Sequence, residues 1–216
     1  MCGRLNQTSD LSWRDYIATI RIESRFNVAP TEELYLLREQ RIELARWWLT
    51  PGWAKEVSNK YNMFNARAEK LGQSPAFRGP FQNQRGIVPM SSFIEWRKSG
   101  DSKQPWSIAC ESGTLYAAAL WDVWNGGETP LLSCTIVTTE APAAFQPWHN
   151  RMPVLLAENE IERWMDNSAP LAADDPIFRP ELKYTWLVAP LDKAVGNARN
   201  KAPELMQPIG EVVVLE

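Results

Sequence analysis

The first part of the chain alternates short apolar runs with polar breaks. Polar residues 8–10 precede apolar residues at helical spacing within 11–20, which predicts a capped amphipathic helix. The run LYLLREQRIELARWWL (34–49) predicts two strands joined at Glu39–Gln40, although a helix also fits its second half. A further helix is expected to begin near Ala66. This part therefore predicts a mixture of strands and helices.

From Arg85 onward the pattern becomes that of strands. Short apolar turn-bounded runs follow one another: RGIVP, SFIEWRK, QPWSIAC, TLYAAALWDVW and LLSCTIVT. A helix is predicted within 158–167, and KYTWLVAP and EVVVLE predict two more strands. No long linker divides the chain, so residues 1–216 are predicted to form a single α+β domain in which antiparallel strands outnumber helices.

Composition limits the class of protein. With 216 residues, 44% hydrophobic and 23% charged, the chain has the make-up of a globular protein. Three scattered cysteines, none in a CxxC pair, are too few for a disulfide framework and indicate a reducing cytosol. No secretory-signal pattern or membrane-spanning run appears, so a cytoplasmic protein is expected. The net charge of −3 does not by itself indicate nucleic-acid binding but is compatible with a local basic groove.

Cys2 has chemical meaning because of its position. Removal of Met1 would leave an α-amine and a thiol on one residue, with ordinary pKa values near 7.7–8.0 and 8.5. Such a 1,2-aminothiol condenses with an aldehyde: the amine forms an imine, the thiol adds to it, and a thiazolidine ring closes. An internal cysteine lacks the free amine. On residue type alone, a buried or disordered cysteine is the commoner explanation of Cys2.

Two titratable residues are candidates for acid–base chemistry. His149, the only histidine, titrates near neutral pH, but a structural histidine bonded to a backbone carbonyl explains it as well. Glu95 lies in the predicted strand SFIEWRK, where it shares a face with Phe93 and Arg97. Apolar surroundings would raise the pKa of Glu95 and suit it to proton transfer. The alternative is a solvent-facing glutamate paired with a neighbouring cation.

Asn65 and Arg67 lie in the segment MFNARAEKL. An asparagine both donates and accepts hydrogen bonds, so Asn65 can orient a reacting group. Arg67 is suited to bind phosphate. The alternative is an asparagine that caps a helix beginning near Ala66, with Arg67 on its surface.

These segments resemble one known family when they are read in order. The blocks MCGR, FNVAPT, NARAE, PMSSFIEW, IVTTEAP, HNRMPVLL and VGNARNKAPEL occur at plausible spacing from Cys2 to about Pro208. They are similar to the SOS-response-associated peptidase family, whose members process abasic sites in single-stranded DNA. The resemblance implies one α+β domain with a curved, barrel-like, mostly antiparallel β-sheet flanked by helices, and a positively charged groove for DNA.

The resemblance also implies roles for individual residues. Cys2, freed of Met1, would form a thiazolidine with the ring-opened aldehyde of an abasic deoxyribose, and the catalytic set would comprise Cys2, Asn65, Glu95 and His149. DNA would be bound by Arg4, Arg67, Arg151, Trp53 and Thr138. The arginines would contact the backbone, Trp53 would stack on or wedge against bases, and Thr138 would lie near the lesion. No metal or cofactor is expected.

Several positions depart from the usual motifs of that family. Ser92 replaces a glycine, Ile94 an aromatic residue and Asn150 an aspartate. Trp48 stands where glycine is common, and Ala54 where a second aromatic residue often follows Trp53. The catalytic set is intact, so these departures bear on DNA affinity and strand context rather than on chemistry.

The sequence therefore predicts a protein that senses abasic sites in single-stranded DNA and shields them from strand cleavage by a covalent crosslink. Lyase chemistry would be a side branch, and the peptidase name fits autocatalytic loss of Met1. Two alternatives stay open: a cysteine autopeptidase or hydrolase with an N-terminal nucleophile, and a non-catalytic single-stranded-DNA-binding module. We expect a monomer without membrane contact that associates with the nucleoid during DNA damage.

Overall fold

The computed structural model describes residues 2–100 and 102–216, in which short strands predominate. The strands are β1 (Leu5–Gln7), β2 (Ile17–Ala18), β3 (Arg25–Val28), β4 (Glu33–Arg38), β5 (Arg41–Trp47), β6 (Asn65–Arg67), β7 (Arg85–Met90), β8 (Ser92–Ser99), β9 (Ser102–Cys110), β10 (Leu115–Trp124), β11 (Leu131–Glu140), β12 (Arg151–Pro153), β13 (Trp186–Pro190) and β14 (Val213–Leu215). The α-helices in the described part are α1 (Arg78–Asn83) and α2 (Ile161–Met165). Single 3-10 turns occupy Ala68–Lys70, Glu158–Glu160, Pro176–Phe178, Lys193–Gly196 and Pro203–Met206.

Five strands close into a barrel. Antiparallel pairing joins β11 to β10, β10 to β7, β7 to β4, and β4 to β5. The circle is completed by parallel pairing of β5 with β11, where Arg46 lies opposite Ser133 and Trp47 opposite Cys134. β6 continues along β11 in the same parallel sense. The curved, mostly antiparallel sheet is thus confirmed, whereas the flanking helices are few and short.

A second, six-stranded sheet has the order β14-β13-β9-β8-β1-β3. Its centre is the long β8–β9 hairpin, in which Glu95 lies opposite Trp106. β1 joins the free edge of β8, with Leu5 opposite Phe93 and Asn6 opposite Ser92. The start of the chain is thereby placed beside Glu95.

The barrel strands β4, β7, β10 and β11 are buried on both faces over most of their length, which explains their continuous apolar runs. On β4, Leu34 and Leu36 belong to one core cluster, which also contains Phe93 of the six-stranded sheet. Tyr35 and Leu37 enter a second cluster that contains Trp164 of α2. The first cluster joins the barrel to the six-stranded sheet, and the candidate site lies at its margin.

The β4–β5 hairpin confirms the turn predicted at Glu39–Gln40. Both residues have positive φ, 46° and 62°. Two consecutive positive φ values are typical of the tight turns whose twist matches paired strands. The helix considered for the second half of this run is therefore wrong.

The helix predicted within 11–20 is also wrong. Arg14 has a φ of 53°, outside the right-handed helical region, and Ile17–Ala18 pair with β5 as β2. Trp13 and Tyr16 pack against the second core cluster from irregular backbone. Packing of these apolar side chains onto the barrel therefore needs no helix. The helix expected near Ala66 is instead β6 followed by a single 3-10 turn.

The predicted helix within 158–167 is confirmed as a 3-10 turn that continues into α2. All three cysteines are free and buried, as expected from their scattered positions. The helices of the described residues are all too short to cross a membrane.

Candidate active site and nucleic-acid interface

The backbone beside Cys2 is fixed by pairing with β8. The Ile94 N–H donates to the Arg4 carbonyl at 3.0 Å, extending the β1–β8 ladder beyond Leu5. The Cys2 side chain is completely buried within the first core cluster, and its Sγ lies 3.8 Å from the Arg4 carbonyl oxygen. Burial raises the pKa of the Cys2 thiol well above its usual range, and the nearby charge of Glu95 raises it further. The thiol is therefore neutral at physiological pH.

Asn65 holds the Cys2 backbone from the barrel side. Its Nδ2 donates to the Cys2 carbonyl at 2.8 Å. The Asn65 side chain is buried, and its Oδ1 has no hydrogen-bond partner among the described residues. Asn65 lies within β6 and does not cap a helix, since the following 3-10 turn is preceded by Arg67. The amide thus combines one engaged donor with a buried acceptor beside Cys2.

Glu95 points to the Cys2 side of β8. The predicted alternation is correct, because Phe93 belongs to the first core cluster whereas Ile94 packs with Leu191 and Val195 in a third. Glu95 is only 2% exposed, so a solvent-facing ion pair is excluded. Burial raises the pKa of this carboxyl from 4.5 to about 7. Glu95 can consequently accept or donate a proton near neutral pH.

His149 follows the turn that places Phe145 and Trp148 in the same core cluster as Cys2. The Arg151 N–H donates to His149 Nδ1 at 2.9 Å, and the Arg151 carbonyl oxygen lies 3.0 Å from the same nitrogen. This backbone contact agrees with the structural interpretation of His149 and fixes the orientation of its ring. Burial lowers the pKa of the half-buried ring. The neutral imidazole is therefore favoured.

Arg151 joins His149 to the end of β11. Its guanidinium binds both carboxylate oxygens of Glu69, with Nη1–Oε1 at 2.8 Å and Nη2–Oε2 at 3.1 Å. Nη2 also donates to the Thr138 carbonyl at 2.7 Å and lies 3.3 Å from Thr138 Oγ1. The hydroxyl of the fully buried Thr138 also lies 3.5 Å from the Ala66 carbonyl. Arg151 and Thr138 thus form one unit with β6.

The other two predicted phosphate contacts differ in exposure. Arg67 lies opposite Thr138 in the β6–β11 pairing and is exposed. Arg4 is half-buried, with Nη1 bound to the Gly3 carbonyl at 3.0 Å and the guanidinium 5.8 Å from the centre of the Trp96 ring. The structure brings Cys2, Asn65 and Glu95 together. Arg67 lies on β6, and Arg4 lies directly before β1.

Trp53 lies in the loop between β5 and β6 and is 68% exposed. Its neighbours are fixed: the Gly52 N–H donates to Asp122 Oδ2 at 2.7 Å, and Trp124 Nε1 donates to the Ala54 carbonyl at 2.7 Å. A bare indole on a tethered backbone is suited to stacking.

A family comparison identifies the chain. A model of the SOS response associated peptidase (SRAP) family matches residues 1–198. The chain belongs to this family. Within the SRAP match lie all the residues described above, from Cys2 to Arg151.

SRAP relatives of similar length are found in bacteria. YoqW of Bacillus subtilis strain 168, named an abasic site processing protein, is 32% identical over 96% of this chain and 99% of its own. YedK of Escherichia coli K12, also named an abasic site processing protein, is 29% identical over 97% of this chain and 100% of its own. The similarity thus extends over nearly the whole of both chains.

Solved structures share the fold. A protein from Bacteroides thetaiotaomicron superimposes with a TM-score of 0.82 at 18% identity, covering 94% of this chain and 99% of that one. A protein from Bordetella bronchiseptica gives a TM-score of 0.75 at 22% identity, covering 88% and 100%. At these identities the likeness concerns the fold alone.

One residue of this SRAP site has no role in the sequence analysis. Glu69 lies in the NARAE block but was not singled out, although its carboxylate binds Arg151. The only local signal is a charged pair, Arg67 and Glu69, separated by the single residue Ala68. Its partner Arg151 is remote in sequence, and no local pattern links the two.

Proposed function

We propose that this protein captures abasic sites in single-stranded DNA as a thiazolidine crosslink at Cys2 after loss of Met1, and that residues 1–216 act as one unit. Support comes first from relatives named abasic site processing proteins. The observation that carries the proposal is that two candidate residues meet at Cys2. Asn65 binds the Cys2 backbone, and the buried Glu95 lies close enough for its charge to raise the pKa of the Cys2 thiol. Met1, whose removal the chemistry requires, lies outside the described residues.

The first step is imine formation. Hydrolysis of the Met1–Cys2 peptide bond consumes one water and frees the Cys2 amine. The amine attacks the C1′ aldehyde of the ring-opened sugar and gives a carbinolamine. Glu95 accepts a proton from the amine and donates one to the departing hydroxyl, so one water leaves and the imine forms. A carboxyl with a pKa of about 7 is suited to both transfers at neutral pH.

Ring closure follows at the same carbon. The Cys2 sulfur adds to the imine carbon, the π electrons move to nitrogen, and the thiol proton is transferred to that nitrogen through Glu95. Because burial keeps the thiol neutral in the described structure, sulfur reacts only once a strong electrophile is present. The product has no exchangeable imine, so β-elimination of the 3′ phosphate becomes a minor lyase branch.

Asn65 and His149 have supporting roles in this proposal. Asn65 orients the Cys2 amine or a sugar hydroxyl, because small misplacements of reacting groups are costly. His149 transfers a proton at the sugar ring oxygen and so promotes opening of the hemiacetal. The lowered pKa of the ring keeps it neutral, so it first accepts the proton of the C1′ hydroxyl and then gives that proton to the ring oxygen as the C1′–O4′ bond breaks.

DNA is held through its backbone and bases, without sequence readout. Arg4, Arg67 and Arg151 neutralise phosphates, which makes binding sensitive to salt. Trp53 stacks on a base beside the lesion, and Thr138 lines the sugar site together with Arg151. A missing base removes the cost of unstacking, so the sugar enters the site readily.

The test uses protein shown by intact mass to begin at Cys2. It is incubated with a single-stranded oligonucleotide carrying one abasic site, and the products are separated under denaturing conditions without reductant. We expect a stable adduct of one protein with one oligonucleotide. Cys2→Ala should abolish it, whereas Cys110→Ala, which removes another buried thiol, should retain it.

Each other outcome rejects the proposal in a different way. An equal adduct from Cys2→Ala would exclude the thiazolidine. DNA binding without adduct, in protein proven to begin at Cys2, would favour a non-catalytic binding module. Cleavage of a peptide substrate with no DNA adduct would favour the N-terminal-nucleophile peptidase.

A further inference from the structure

The segment 48–64 leaves and rejoins one edge of β11 at nearly the same point. The chain departs after Trp47, which lies opposite Cys134, and returns at Asn65, which lies opposite Ile136. Both pairings use the edge of β11 that faces away from β10, since Cys134 and Ile136 also pair with β10. The intervening loop is therefore long and irregular although its ends nearly meet. Loops of this kind in compact domains are usually functional.

The loop is tethered rather than loosely attached. The Thr50 N–H donates to Ser133 Oγ at 2.8 Å, and the Leu49 N–H donates to the Met63 carbonyl at 3.1 Å. Further along, Arg46 Nη2 donates to Asn59 Oδ1 at 2.6 Å. These bonds fix the base and the middle of the loop and leave its outer side chains to solvent.

Those outer side chains are apolar at regular intervals. Trp53, Val57 and Tyr61 are 68%, 41% and 69% exposed. Trp53 and Tyr61 are the two strongly exposed aromatic side chains among the described residues. Lys60 Nζ lies 5.7 Å from the centre of the Tyr61 ring, so a cation accompanies the second aromatic group. Exposed aromatic groups paired with cations are the elements of a single-strand contact.

We propose that Tyr61 and Lys60 form a second nucleotide contact, in which Tyr61 stacks on a base and Lys60 binds an adjacent phosphate. This extends the proposed function, on which it rests for the choice of DNA as ligand. Tyr61 precedes Asn65 by four residues, at most about 14 Å of extended chain, so this part of the loop lies within reach of a strand whose abasic sugar is bound at Cys2. The contact is distinct from Trp53 and has no part in the chemistry.

Single-stranded DNA fits this surface better than a protein partner does. The exposed loop residues include Lys55 and Lys60 against one acid, Glu56, so the loop is basic on a chain whose net charge is −3. Along the loop, Trp53, Val57 and Tyr61 are separated by segments that carry polar or charged residues. Bases are read one at a time by such isolated rings, whereas protein docking needs contiguous apolar area.

The experiment measures binding of an undamaged single-stranded oligothymidine by fluorescence anisotropy. Undamaged DNA cannot form the adduct, so the result is independent of the thiazolidine chemistry. We expect Tyr61→Ala to weaken binding about 5- to 100-fold and Tyr61→Phe to stay within about twofold, because the ring does the stacking. Lys60→Ala should reduce the slope of log affinity against log salt by about 0.7.

The matched control is Ile17→Ala, which removes a side chain that is 65% exposed but lies in β2, outside the loop. Unchanged melting temperatures verify that the variants are folded. Binding of Tyr61→Ala equal to that of Ile17→Ala would overturn the proposal. So would self-association of the native protein that is lost in Tyr61→Ala, which would assign the loop to a protein contact. If no variant forms adduct on abasic DNA yet Tyr61→Ala still weakens binding, the proposed chemistry fails and this contact stands.

Discussion

Arg151 binds the carboxylate of Glu69 within the protein, and this ion pair makes the proposed contact of Arg151 with DNA testable. The Glu69 carboxylate occupies one bidentate face of the guanidinium, and Thr138 accepts from Nη2 as well. The buried Nε has no hydrogen-bond partner among the described residues. A phosphate that uses the same bidentate face must displace Glu69.

The free energy needed to displace Glu69 from Arg151 depends on how exposed the two side chains are to solvent. The Glu69 side chain is 48% exposed and that of Arg151 is 14% exposed. Although burial opposes ionisation of Glu69, the hydrogen bonds and charge of Arg151 outweigh it and lower the pKa of the carboxyl. Glu69 is thus fully charged at neutral pH. A pair with one exposed partner contributes about 0.2–1 kcal/mol, which predicts that Glu69→Gln tightens DNA binding by up to about fivefold.

The assay measures anisotropy of an undamaged single-stranded oligonucleotide between about 50 and 200 mM salt. With Glu69→Gln, binding should be tighter at every salt concentration, and the slope of log affinity against log salt should change little, because Arg151 neutralises one phosphate in both proteins and only the cost of displacing Glu69 is removed. Glu111→Gln changes the net charge equally at an exposed turn between β9 and β10 and is the control.

Weaker binding of Glu69→Gln, or binding equal to that of Glu111→Gln, would refute this reasoning. The first result would mean that Glu69 holds Arg151 in place for DNA. The second would mean that no phosphate reaches Arg151.

Two further predictions concern stability, each measured as the free energy of unfolding in urea. Because burial raises the pKa of folded Glu95 from 4.5 to about 7, the folded state binds its proton more tightly, and stability contributed by this group falls as pH rises across that interval. Glu95→Gln should therefore gain up to about 3 kcal/mol relative to the native chain between pH 5 and 8, and a constant difference would contradict it. Arg85 is fully buried and donates to several carbonyls, among them those of Trp164 and Ala169. Arg85→Met should therefore lower the free energy of unfolding by about 3 kcal/mol or more, and Arg85→Lys should lower it less. An Arg85→Met variant as stable as the native chain would contradict this.

Local signals predicted the hairpins and most strands. The turn at Glu39–Gln40 and the alternation around Glu95 follow from neighbouring residues, because side-chain period and turn chemistry act over a few positions. The helix expected within 11–20 failed because Ile17 finds its partner in Arg41 of β5. Because Arg41 is 24 residues further along the chain, the residues around Ile17 give no sign of this pairing.

The closure of the barrel could not be predicted in the same way. It depends on parallel pairing of Trp47 with Cys134 and of Asn65 with Ile136, between segments far apart in the chain. The same closure brings Asn65 to Cys2. Residue type and family resemblance supplied the candidate residues, whereas the burial that raises the pKa of Glu95 arises only from the assembled sheets.

Two of the departures from the usual family motifs, Ile94 and Ser92, lie on β8 but away from Cys2. Ile94 packs against Leu191 and Val195, on the face of β8 opposite to Glu95. Ser92 accepts a hydrogen bond from Asn6 at 2.8 Å within the β1–β8 pair. Neither replaced side chain shares the core cluster of Cys2, so the environment of Cys2 and Glu95 does not depend on the usual residues.

Two further departures, Trp48 and Ala54, lie in the loop for which we propose a contact with DNA. The Trp48 ring packs against Phe64 at the base of the loop, with ring centres 5.4 Å apart and planes tilted by 35°. The Ala54 carbonyl accepts a hydrogen bond from Trp124. Without a second aromatic side chain after Trp53, a single indole remains at that end of the loop, and Tyr61 supplies an aromatic ring at the other. Differences from the relatives are therefore expected in affinity for the flanking strand, and the chemistry at Cys2 should be shared.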